Sequence, residues 1–324
     1  MRTYVLTLDG VFDLGLAALL DTLSTANELG QQPGQSAPSP SSRFDMRLVG
    51  VRKRVQTLHG LTVPVTQVAR LPRPDVVLVP ALGDKTPDAL CKALGRKDVA
   101  DAGALLRRWA AAGTRVGAAC TGTFLLAEAG ILDGQSATTT WWLAPLFRQR
   151  YPKVELDESR MIVESANVVT AGAALAHLDL ALWMVRRRSP ALATLTARYL
   201  IVDPRPSQAA YVIPDHLAHA DPMVERFEEW ARANLAERFS LSAAAHSVGA
   251  SERTLARRLR GVLGKSPLSY VQDLRVERAV HLLQTTDASV DQIAADVGYG
   301  DGVTLRTLLR RKTGRGVREL RARA

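Results

Sequence analysis

The spacing of apolar residues differs between the two ends of this chain. Over roughly the first 200 residues, short apolar runs alternate with longer segments in which apolar residues recur every three or four positions. The runs predict strands at 3–8, 46–51, 61–65, 76–80, 115–119 and 168–170. The segments between several of them predict helices. Alternating strands and helices are typical of a largely parallel sheet with helices on both faces, so we expect an α/β domain here.

Beyond residue 222 only the helical spacing remains, and one arrangement occurs twice. Each copy predicts a short helix, a turn containing glycine and a longer arginine-rich helix, which is the order of a helix-turn-helix motif. Matched positions lie 49 residues apart in the turn and 50 apart in the longer helix, so the second turn has one extra residue. The matched residues are Val248-Gly249 and Val297-Gly298, Leu255 and Leu305, Leu259 and Leu309, and Gly264 and Gly314. We expect an all-α domain with two helix-turn-helix units.

Prolines separate the two patterns. They stand at positions 204, 206, 214 and 222, and a residue that precedes proline avoids the helical conformation. We therefore place a linker at 203–222, between a first domain at 1–202 and a second at 223–324. Within the first domain, the stretch 31–42 is rich in Gln, Pro, Gly and Ser and predicts a loop.

The basic charge is concentrated in the predicted second domain. The whole chain has 324 residues and a formal net charge of +10. Residues 223–324 contain 18 Lys and Arg against 12 Asp and Glu, whereas residues 1–222 contain 24 against 20. A basic domain suits the phosphate backbone of nucleic acid. A basic surface that faces only solvent would have the same composition, so charge alone does not separate the two interpretations.

The cysteines and the first residues indicate a compartment. Two cysteines, Cys91 and Cys120, cannot form a disulfide framework and suit a reducing environment. The chain starts with a predicted strand instead of a signal peptide, and no apolar run has the length of a membrane span. We expect a cytoplasmic protein with no membrane partner.

Cys120 stands in the stretch with the most chemical promise. A predicted buried strand at 115–119 meets a turn of small residues, and a helix is predicted from Gly122. This order places a thiol at the carboxyl end of the sheet, beside a helix N-terminus that favours the thiolate.

Around this cysteine the chain resembles the ThiJ/PfpI group of the class I glutamine amidotransferase-like superfamily, over about residues 3–190. The resemblance rests on Asp9-Gly-Val-Phe-Asp13, Pro74-Asp-Val-Val-Leu-Val-Pro80, Ala119-Cys-Thr-Gly122, residues 125–134 and Ala137-Thr-Thr-Thr-Trp141. More narrowly, the sequence is similar to the GlxA-type regulators, which join such a domain to AraC-type DNA-binding helices. The resemblance implies a flavodoxin-like sandwich and a homodimer formed through the first domain.

The partners that a catalytic cysteine requires are not evident. Hydrolytic relatives have histidine after the cysteine, where this chain has Thr121, and a glutamate at the sheet edge, where the matching residue is Gly15. His59 and His177 are the only histidines before residue 200, and neither belongs to a nucleophile-plus-base pattern. No spacing typical of a metal or nucleotide site is present. We therefore expect no catalytic residue, no metal and no cofactor.

Three interpretations of Cys120 remain. It is a packed residue at a tight turn, or the nucleophile of a thiol hydrolase or amidase with a DNA-tethering tail, or part of a crevice that binds a small metabolite without converting it. We favour the third interpretation. The predicted crevice is lined by Asp9, Asp13, Cys120, Thr121, Thr140 and Trp141.

Residues 223–324 resemble the AraC/XylS DNA-binding domain. The resemblance rests on residues 275–283, on residues 290–299 and on Gly264-Lys-Ser-Pro267. In the first copy Ser251 predicts an N-cap. Arg253 and Arg257 then lie one helical turn apart on the outer face, where the family pattern places base-contacting residues. A bidentate arginine–guanine pair contributes about 1–3 kcal/mol of discrimination.

The second copy lacks such a reading face, by which we mean a pair of side chains on the outer face of the helix that can hydrogen-bond to base edges. Its matching positions are Gly302, Val303, Arg306 and Thr307, of which the first two offer no hydrogen-bonding side chain. We expect this copy to dock on phosphates and to read sequence weakly.

Together these features predict a transcription regulator that binds specific sites in double-stranded DNA. RNA polymerase, a second copy of the chain and a small metabolite are its further expected partners. The predicted DNA-binding residues are Arg253, Thr254, Arg257, Arg258, Arg306, Thr307, Arg310 and Arg311.

Overall fold

The computed structural model describes residues 1–31, 43–68, 71–203, 205, 207–208, 211 and 221–321. The predicted loop at 31–42 lies outside these residues from position 32 onward. The chain divides into two compact units, residues 1–208 and residues 209–324. The division falls inside the predicted linker, whose own extent stays a prediction.

A seven-stranded sheet forms the centre of the first unit. Its strands are β1 (Arg2–Leu6), β2 (Asp45–Gly50), β5 (Thr66–Gln67), β6 (Val76–Val79), β7 (Arg115–Ala119), β10 (Ile162–Ser165) and β11 (Val168–Ala171). The spatial order is β10-β11-β7-β6-β1-β2-β5, and only β10 and β11 pair antiparallel. Two small sheets lie outside it, β3 (Arg54–Gln56) with β4 (Thr62–Pro64) and β8 (Ser136–Ala137) with β9 (Glu155–Leu156).

Helices cover both faces of the large sheet. One face packs against α1 (Asp13–Leu29), α6 (Ala176–Arg188) and α7 (Pro190–Tyr199), and the other against α2 (Pro87–Leu94), α3 (Lys97–Ala111), α4 (Gly122–Glu128) and α5 (Ala144–Arg150). Successive residues of β1 enter the two cores in turn, because side chains alternate along a strand. Tyr4 packs with α2–α5, and Val5 packs with α1, α6 and α7. The predicted, mostly parallel α/β sandwich is confirmed.

Parts of the sheet differ from the prediction. The predicted strand at 61–65 forms β4, which pairs with β3 in a hairpin outside the main sheet. Strand β10 was not predicted, since its sequence Ile-Val-Glu-Ser is half polar and short. An edge strand buries one side only, and so it lacks the continuous apolar run of a central strand.

The second unit is helical throughout its described residues. Its helices are α8 (Pro222–Ala233), α9 (Leu241–Ser247), α10 (Glu252–Leu263), α11 (Pro267–Thr285), α12 (Val290–Asp296), α13 (Gly302–Thr313) and α14 (Val317–Arg321). Helices α9 and α10 form one helix-turn-helix, α12 and α13 form the other, and α11 connects them. The predicted all-α character of this part is confirmed.

The repeated leucines and glycines have the same roles in both helix-turn-helix units. Leu255 and Leu259 of α10 are fully buried, as are Leu305 and Leu309 of α13. Each short helix ends in a turn whose glycine has a positive φ. Both long helices also end at a left-handed glycine. The two units therefore share one scaffold.

Among the helices of the described residues, none has the length and apolar character needed to cross a bilayer.

Candidate ligand site and nucleic-acid interface

Cys120 sits at a sharp turn between β7 and α4. Its φ of 55° lies in the left-handed region, which a residue with a β-carbon rarely adopts. The backbone N–H of Cys120 donates to the carbonyl of Ala171 at 2.9 Å, which extends the pairing of β7 with β11 by one residue. Helix α4 begins two residues later, at Gly122. The predicted strand–turn–helix arrangement around the thiol is thus present.

The thiol itself is enclosed. Cys120 is 4% exposed, and burial raises its pKa to about 12, which hydrogen bonding from the Thr121 backbone and the Thr140 hydroxyl only partly opposes. A thiol with this pKa is almost fully protonated at neutral pH, whereas a nucleophilic cysteine requires the thiolate. The arrangement therefore does not activate Cys120.

Three of the predicted crevice residues surround this turn and are buried with it. Thr121 donates its hydroxyl to the carbonyl of Leu82 at 2.7 Å, and its neighbour Thr140 is fully buried. Thr139, which was not predicted, donates to the carbonyl of Cys120 at 2.8 Å. Trp141 follows at the start of a short 3₁₀ turn and is 9% exposed. The threonine side chains around the Cys120 turn are thus buried.

The two predicted carboxylates form a separate, more open cluster. Asp9 pairs with Arg52 at 2.7 Å, and Asp13 lies 2.8 Å from Nδ1 of His59. Burial raises the pKa of Asp13, but hydrogen bonds from the side chains of Thr57 and His59 outweigh it and lower the pKa overall. Neither carboxylate makes a hydrogen bond to the Cys120 turn among the described residues. The six predicted residues therefore occupy two neighbouring clusters of the sheet edge instead of one.

His177 belongs to the centre of this region, which the sequence did not indicate. It is fully buried at the N-terminus of α6, where its Nε2 accepts the backbone N–H of Ala81 at 3.0 Å and its Nδ1 lies 2.6 Å from the carbonyl of Ala174. Burial lowers its pKa to about 4, so the ring is neutral with its proton on Nδ1. Both ring nitrogens are occupied by backbone groups, and so His177 cannot act as the base for Cys120.

Gln208 was also not predicted, because it lies in the proline-containing stretch assigned to the linker. Its side chain is 1% exposed, and its Nε2 donates to the carbonyl of Thr139 at 2.8 Å and to the hydroxyl of Thr138 at 3.2 Å. Its backbone N–H donates to the carbonyl of Ser159 at 2.9 Å. The residues that bond Gln208 therefore include the threonine loop that covers the Cys120 turn.

A small apolar cavity lies at this edge of the first unit. It lies beside α4 and has a volume of about 10 Å³, which suits a single water at most. Its walls are apolar and are formed by Leu6, Leu8, Val11, Val79, Pro80, Leu82, Gly122 and Leu125. No group of three or more described histidine, cysteine or carboxylate residues is arranged to hold a metal ion.

The outer face of α10 presents two arginines with no partner in the part of the chain that the structure describes. Ser251 caps the helix by accepting the backbone N–H of Thr254 at 3.1 Å, and its Oγ lies 2.8 Å from Thr254 Oγ1. Arg253 and Arg257 follow on the exposed side. Neither guanidinium hydrogen-bonds or ion-pairs with any described residue. Both are therefore free to meet an external anion or base edge.

Arg258 has a structural partner, which the sequence did not indicate. Its Nε lies 2.5 Å from Oδ2 of Asp221, while Oδ1 of the same carboxylate caps α8 by accepting the backbone N–H groups of Met223 and Val224. The guanidinium thus ties α10 to the start of α8. Since more than half of the side chain is exposed, Arg258 still reaches solvent.

The outer face of α13 is less equipped. Gly302 is buried and Val303 is 67% exposed. Thr307 donates its hydroxyl to the carbonyl of Val303 at 3.0 Å, one turn back in the same helix. Arg306, Arg310 and Arg311 are exposed, and they make no hydrogen bond or ion pair with the described residues. This helix presents positive charge without a paired reading face.

The start of α13 is packed against α12. The backbone N–H of Gly302 donates to Oδ1 of Asp291 at 2.9 Å, and a β-carbon added to Gly302 would lie 2.6 Å from the same oxygen. Such an approach is closer than real β-carbons make, so the contact requires glycine at this position.

Comparison with known proteins gives matches over both units. Residues 1–187 match the sequence profile of the DJ-1/PfpI family, and residues 244–323 match that of a helix-turn-helix domain. The HTH-type transcriptional regulator ArgR of Pseudomonas aeruginosa is 29% identical over 225 residues, which are 68% of this chain and 66% of ArgR. The HTH-type transcriptional regulator GlxA of Rhizobium meliloti is 28% identical over 202 residues, which are 60% of this chain and 61% of GlxA.

The aligned segments thus span somewhat less than two thirds of these regulators' own lengths. A crystal structure of an AraC family transcriptional regulator from Pseudomonas putida superposes with a TM-score of 0.50 at 22% identity. The superposition covers 61% of this chain and 98% of that one. At this identity the likeness concerns the fold alone.

Proposed function

The chain belongs to the DJ-1/PfpI family and, because it joins that domain to an AraC-type helix-turn-helix region, we propose that it is a sequence-specific transcription regulator. In this proposal α10 and α13 enter the major groove of double-stranded DNA at promoter sites. The first unit senses a small metabolite, and the chain acts in the cytoplasm, where chromosomal DNA is found.

One observation carries the DNA-binding proposal, namely the pair Arg253 and Arg257. The two side chains lie one turn apart near the start of α10, both are exposed, and neither has a partner among the described residues. Neighbouring Arg258 is instead engaged by Asp221, so its guanidinium is less available to DNA than those of Arg253 and Arg257. Two guanidinium forks at this spacing match two bases in one groove.

Non-catalytic sensing by the first unit is supported by the state of Cys120. Its thiol is enclosed and its pKa is raised, and His177 is neutral and bonded to backbone on both sides. These features disfavour the alternative function, a thiol hydrolase or amidase. We propose instead that a metabolite enters between the two clusters, at Asp9 and Asp13 on one side and the threonine-lined turn on the other.

Dimerisation through the first unit is part of the proposal. Leu14, Leu58 and Leu61 expose 51%, 40% and 63% of their surface around the Asp13–His59 pair, and exposed apolar side chains next to each other are typical of protein interfaces. We propose that a second copy covers them in a two-fold contact. Leu61→Glu should then shift the chain toward monomer in sedimentation equilibrium, with Leu268→Glu in the second unit as the control. Contact with RNA polymerase at the promoter completes the proposed set of partners.

A selection experiment tests the function. Purified full chain is mixed with a pool of random duplexes, and bound DNA is recovered and sequenced over several rounds. We expect one enriched sequence motif from the natural chain and none from the double variant Arg253→Ala, Arg257→Ala. Recovery without enrichment from the natural chain would contradict sequence-specific binding. The enriched motif would then locate genomic sites and, through the neighbouring genes, the class of metabolite.

A further inference from the structure

The two recognition helices are held by one short stretch of the connecting helix α11. On one side of α11, the carboxylate of Asp273 forms ion pairs with two lysines. Nζ of Lys265 lies 2.7 Å from Oδ2, and Nζ of Lys312 lies 2.7 Å from Oδ1. Lys265 directly follows α10 and its terminal glycine, and Lys312 lies in the last turn of α13. One carboxylate therefore draws together the C-terminal ends of both recognition helices.

On another side of α11, Arg275 contacts both helix-turn-helix motifs at a second point. It is 6% exposed, and its guanidinium donates to the carbonyls of Leu235 and Glu237, in the segment that leads into α9. The guanidinium carbon also lies 5.1 Å from the centre of the Tyr299 ring, in the turn between α12 and α13. Residues 273 and 275 are about 200° apart around a helix, so the two ties act from different directions.

We propose that Asp273 and Arg275 are positioning residues which fix the spacing and angle between α10 and α13, so that one chain engages two successive major grooves. This rests on the proposed DNA-binding function. Helix α13 has no reading face of its own, and its phosphate contacts add affinity only when α10 is already in place and α13 is held at the distance of the next groove, about 34 Å away. If α11 no longer fixed the position of α13 relative to α10, the phosphate contacts of α13 would no longer add to the affinity for DNA.

The chemistry of the two ties explains why both are needed. Without the charge of Asp273, Lys265 and Lys312 become two like charges near each other, and their repulsion separates the helix ends. The planar fork of Arg275 reaches two carbonyls at once, which the single ammonium of a lysine cannot reproduce. Because both Asp273 pairs reach solvent, we expect loss of the carboxylate charge to reduce the free energy of unfolding less than loss of a fully buried pair would.

The test compares two duplexes bearing the motif selected from random DNA. The long duplex extends over both grooves, and the short one ends after the groove that α10 enters. Dissociation constants for the full chain are measured by fluorescence anisotropy. The natural chain should bind the long duplex at least about tenfold more tightly. Asp273→Asn and Arg275→Lys should each reduce that ratio by about fivefold or more.

The ratio separates positioning from simpler effects. Asp273→Asn removes one negative charge, which strengthens binding to both duplexes alike, and general destabilisation weakens binding to both alike, so neither effect changes the ratio. Glu277→Gln is the matched control, since Glu277 lies on the same helix and, among the described residues, forms its ion pair with Arg232 of α8, at 3.3 Å. It should leave the ratio unchanged.

An unchanged ratio in Asp273→Asn would overturn the proposal, and so would an equal fall in Glu277→Gln. Should Arg275→Lys fail to fold, as judged by thermal unfolding, the partly exposed Asp273 still decides the question. Failure of the proposed function gives a different result, because the natural chain would then not distinguish the selected motif from a scrambled duplex of the same length.

Discussion

The ring of His177 occupies the space directly above Gly15. A β-carbon added to Gly15 would lie 2.6 Å from Nε2 of His177 and 2.7 Å from its Cε1. The hydrolytic proteins that this chain resembles have a glutamate at the matching position, beside their cysteine. Here a neutral, backbone-bonded imidazole fills that place, so the glycine and the histidine exclude a carboxylate together.

Gly15→Ala should destabilise the first unit. Alanine normally stabilises a helix by about 0.5–1 kcal/mol relative to glycine, but here the new methyl group collides with His177, and overpacking costs about 1–3 kcal/mol. Gly103→Ala in α3 is the control, since its added carbon meets Ala129 at an ordinary 3.5 Å. Urea unfolding followed by tryptophan fluorescence measures both, because four of the five tryptophans lie in the first unit. We expect Gly15→Ala to lower the free energy of unfolding and Gly103→Ala to raise it. A Gly15→Ala chain more stable than the natural chain would contradict the contact between Gly15 and His177.

The stability of the first unit should depend on pH through His177. In the unfolded chain this histidine takes up a proton as the pH falls through about 6.5, whereas burial keeps it neutral in the folded chain down to about 4. The free energy of unfolding should therefore fall by roughly 3 kcal/mol between these values. His177→Gln lacks this dependence. The difference in free energy of unfolding between the natural chain and this variant should therefore become smaller as the pH falls. His246→Gln, in the second unit, should retain the natural slope, and parallel curves for His177→Gln would contradict the prediction.

Cys120 should resist alkylation. In a Cys91→Ser background, we expect iodoacetamide to react with it at pH 8 at least about 100-fold more slowly than with free cysteine, because the thiolate is scarce and the sulfur is enclosed. The rate should still be rising at pH 10. The reciprocal variant, Cys120→Ser, reports the partly buried Cys91 for comparison. A rate that levels off below pH 8 would indicate an activated thiol and revive the hydrolase interpretation.

Gln208→Ala should increase the alkylation rate of Cys120 in the same background. The substitution removes the donor to the carbonyl of Thr139, and Thr139 covers the carbonyl of Cys120 through its own hydroxyl. The loop above the thiol then opens more often. Gln135→Ala is the control, since Gln135 Nε2 donates to the carbonyl of nearby Ile131. Equal rates for Gln208→Ala and the background chain would show that Gln208 does not support the turn.

The two recognition helices should respond differently to loss of arginine. Arg253→Ala or Arg257→Ala should each weaken binding to the selected motif by at least about tenfold and leave binding to random DNA nearly unchanged. Arg306→Ala should weaken both by a similar, smaller factor, since we expect Arg306 to contact phosphate. Titration by anisotropy at two salt concentrations distinguishes these cases. An equal loss on random DNA in Arg253→Ala would reduce that residue to a phosphate contact.

Local patterns were sufficient for most of the fold. The continuous run at Val76–Val79 and the small residues around Cys120 predicted a central strand and a strand–turn–helix, and both are present. The resemblance to the DJ-1/PfpI and AraC-type families, stated from short motifs, is confirmed by the family matches. These features depend on neighbours in sequence or on spacing along one helix.

Contacts between distant residues could not be predicted in this way. The ring of His177 is held by backbone groups of Ala81 and Ala174 and fits because Gly15 has no side chain. No local sequence pattern indicates these contacts. Gln208 lies among prolines typical of a linker. Arg258 looks like its neighbours on α10 until Asp221, 37 residues earlier, is placed beside it. The predicted DNA contacts and crevice residues remain predictions.

The contact between Gly302 and Asp291 limits how the target sequence of this protein can change over evolutionary time. A base-reading side chain cannot appear at position 302 by one mutation, because Asp291 must first give up the oxygen that accepts the Gly302 N–H. Two coordinated changes are required, and the intermediate loses the anchor of α13. We therefore expect descendants of this chain that keep Asp291 to keep glycine at position 302, and to gain no base contact there.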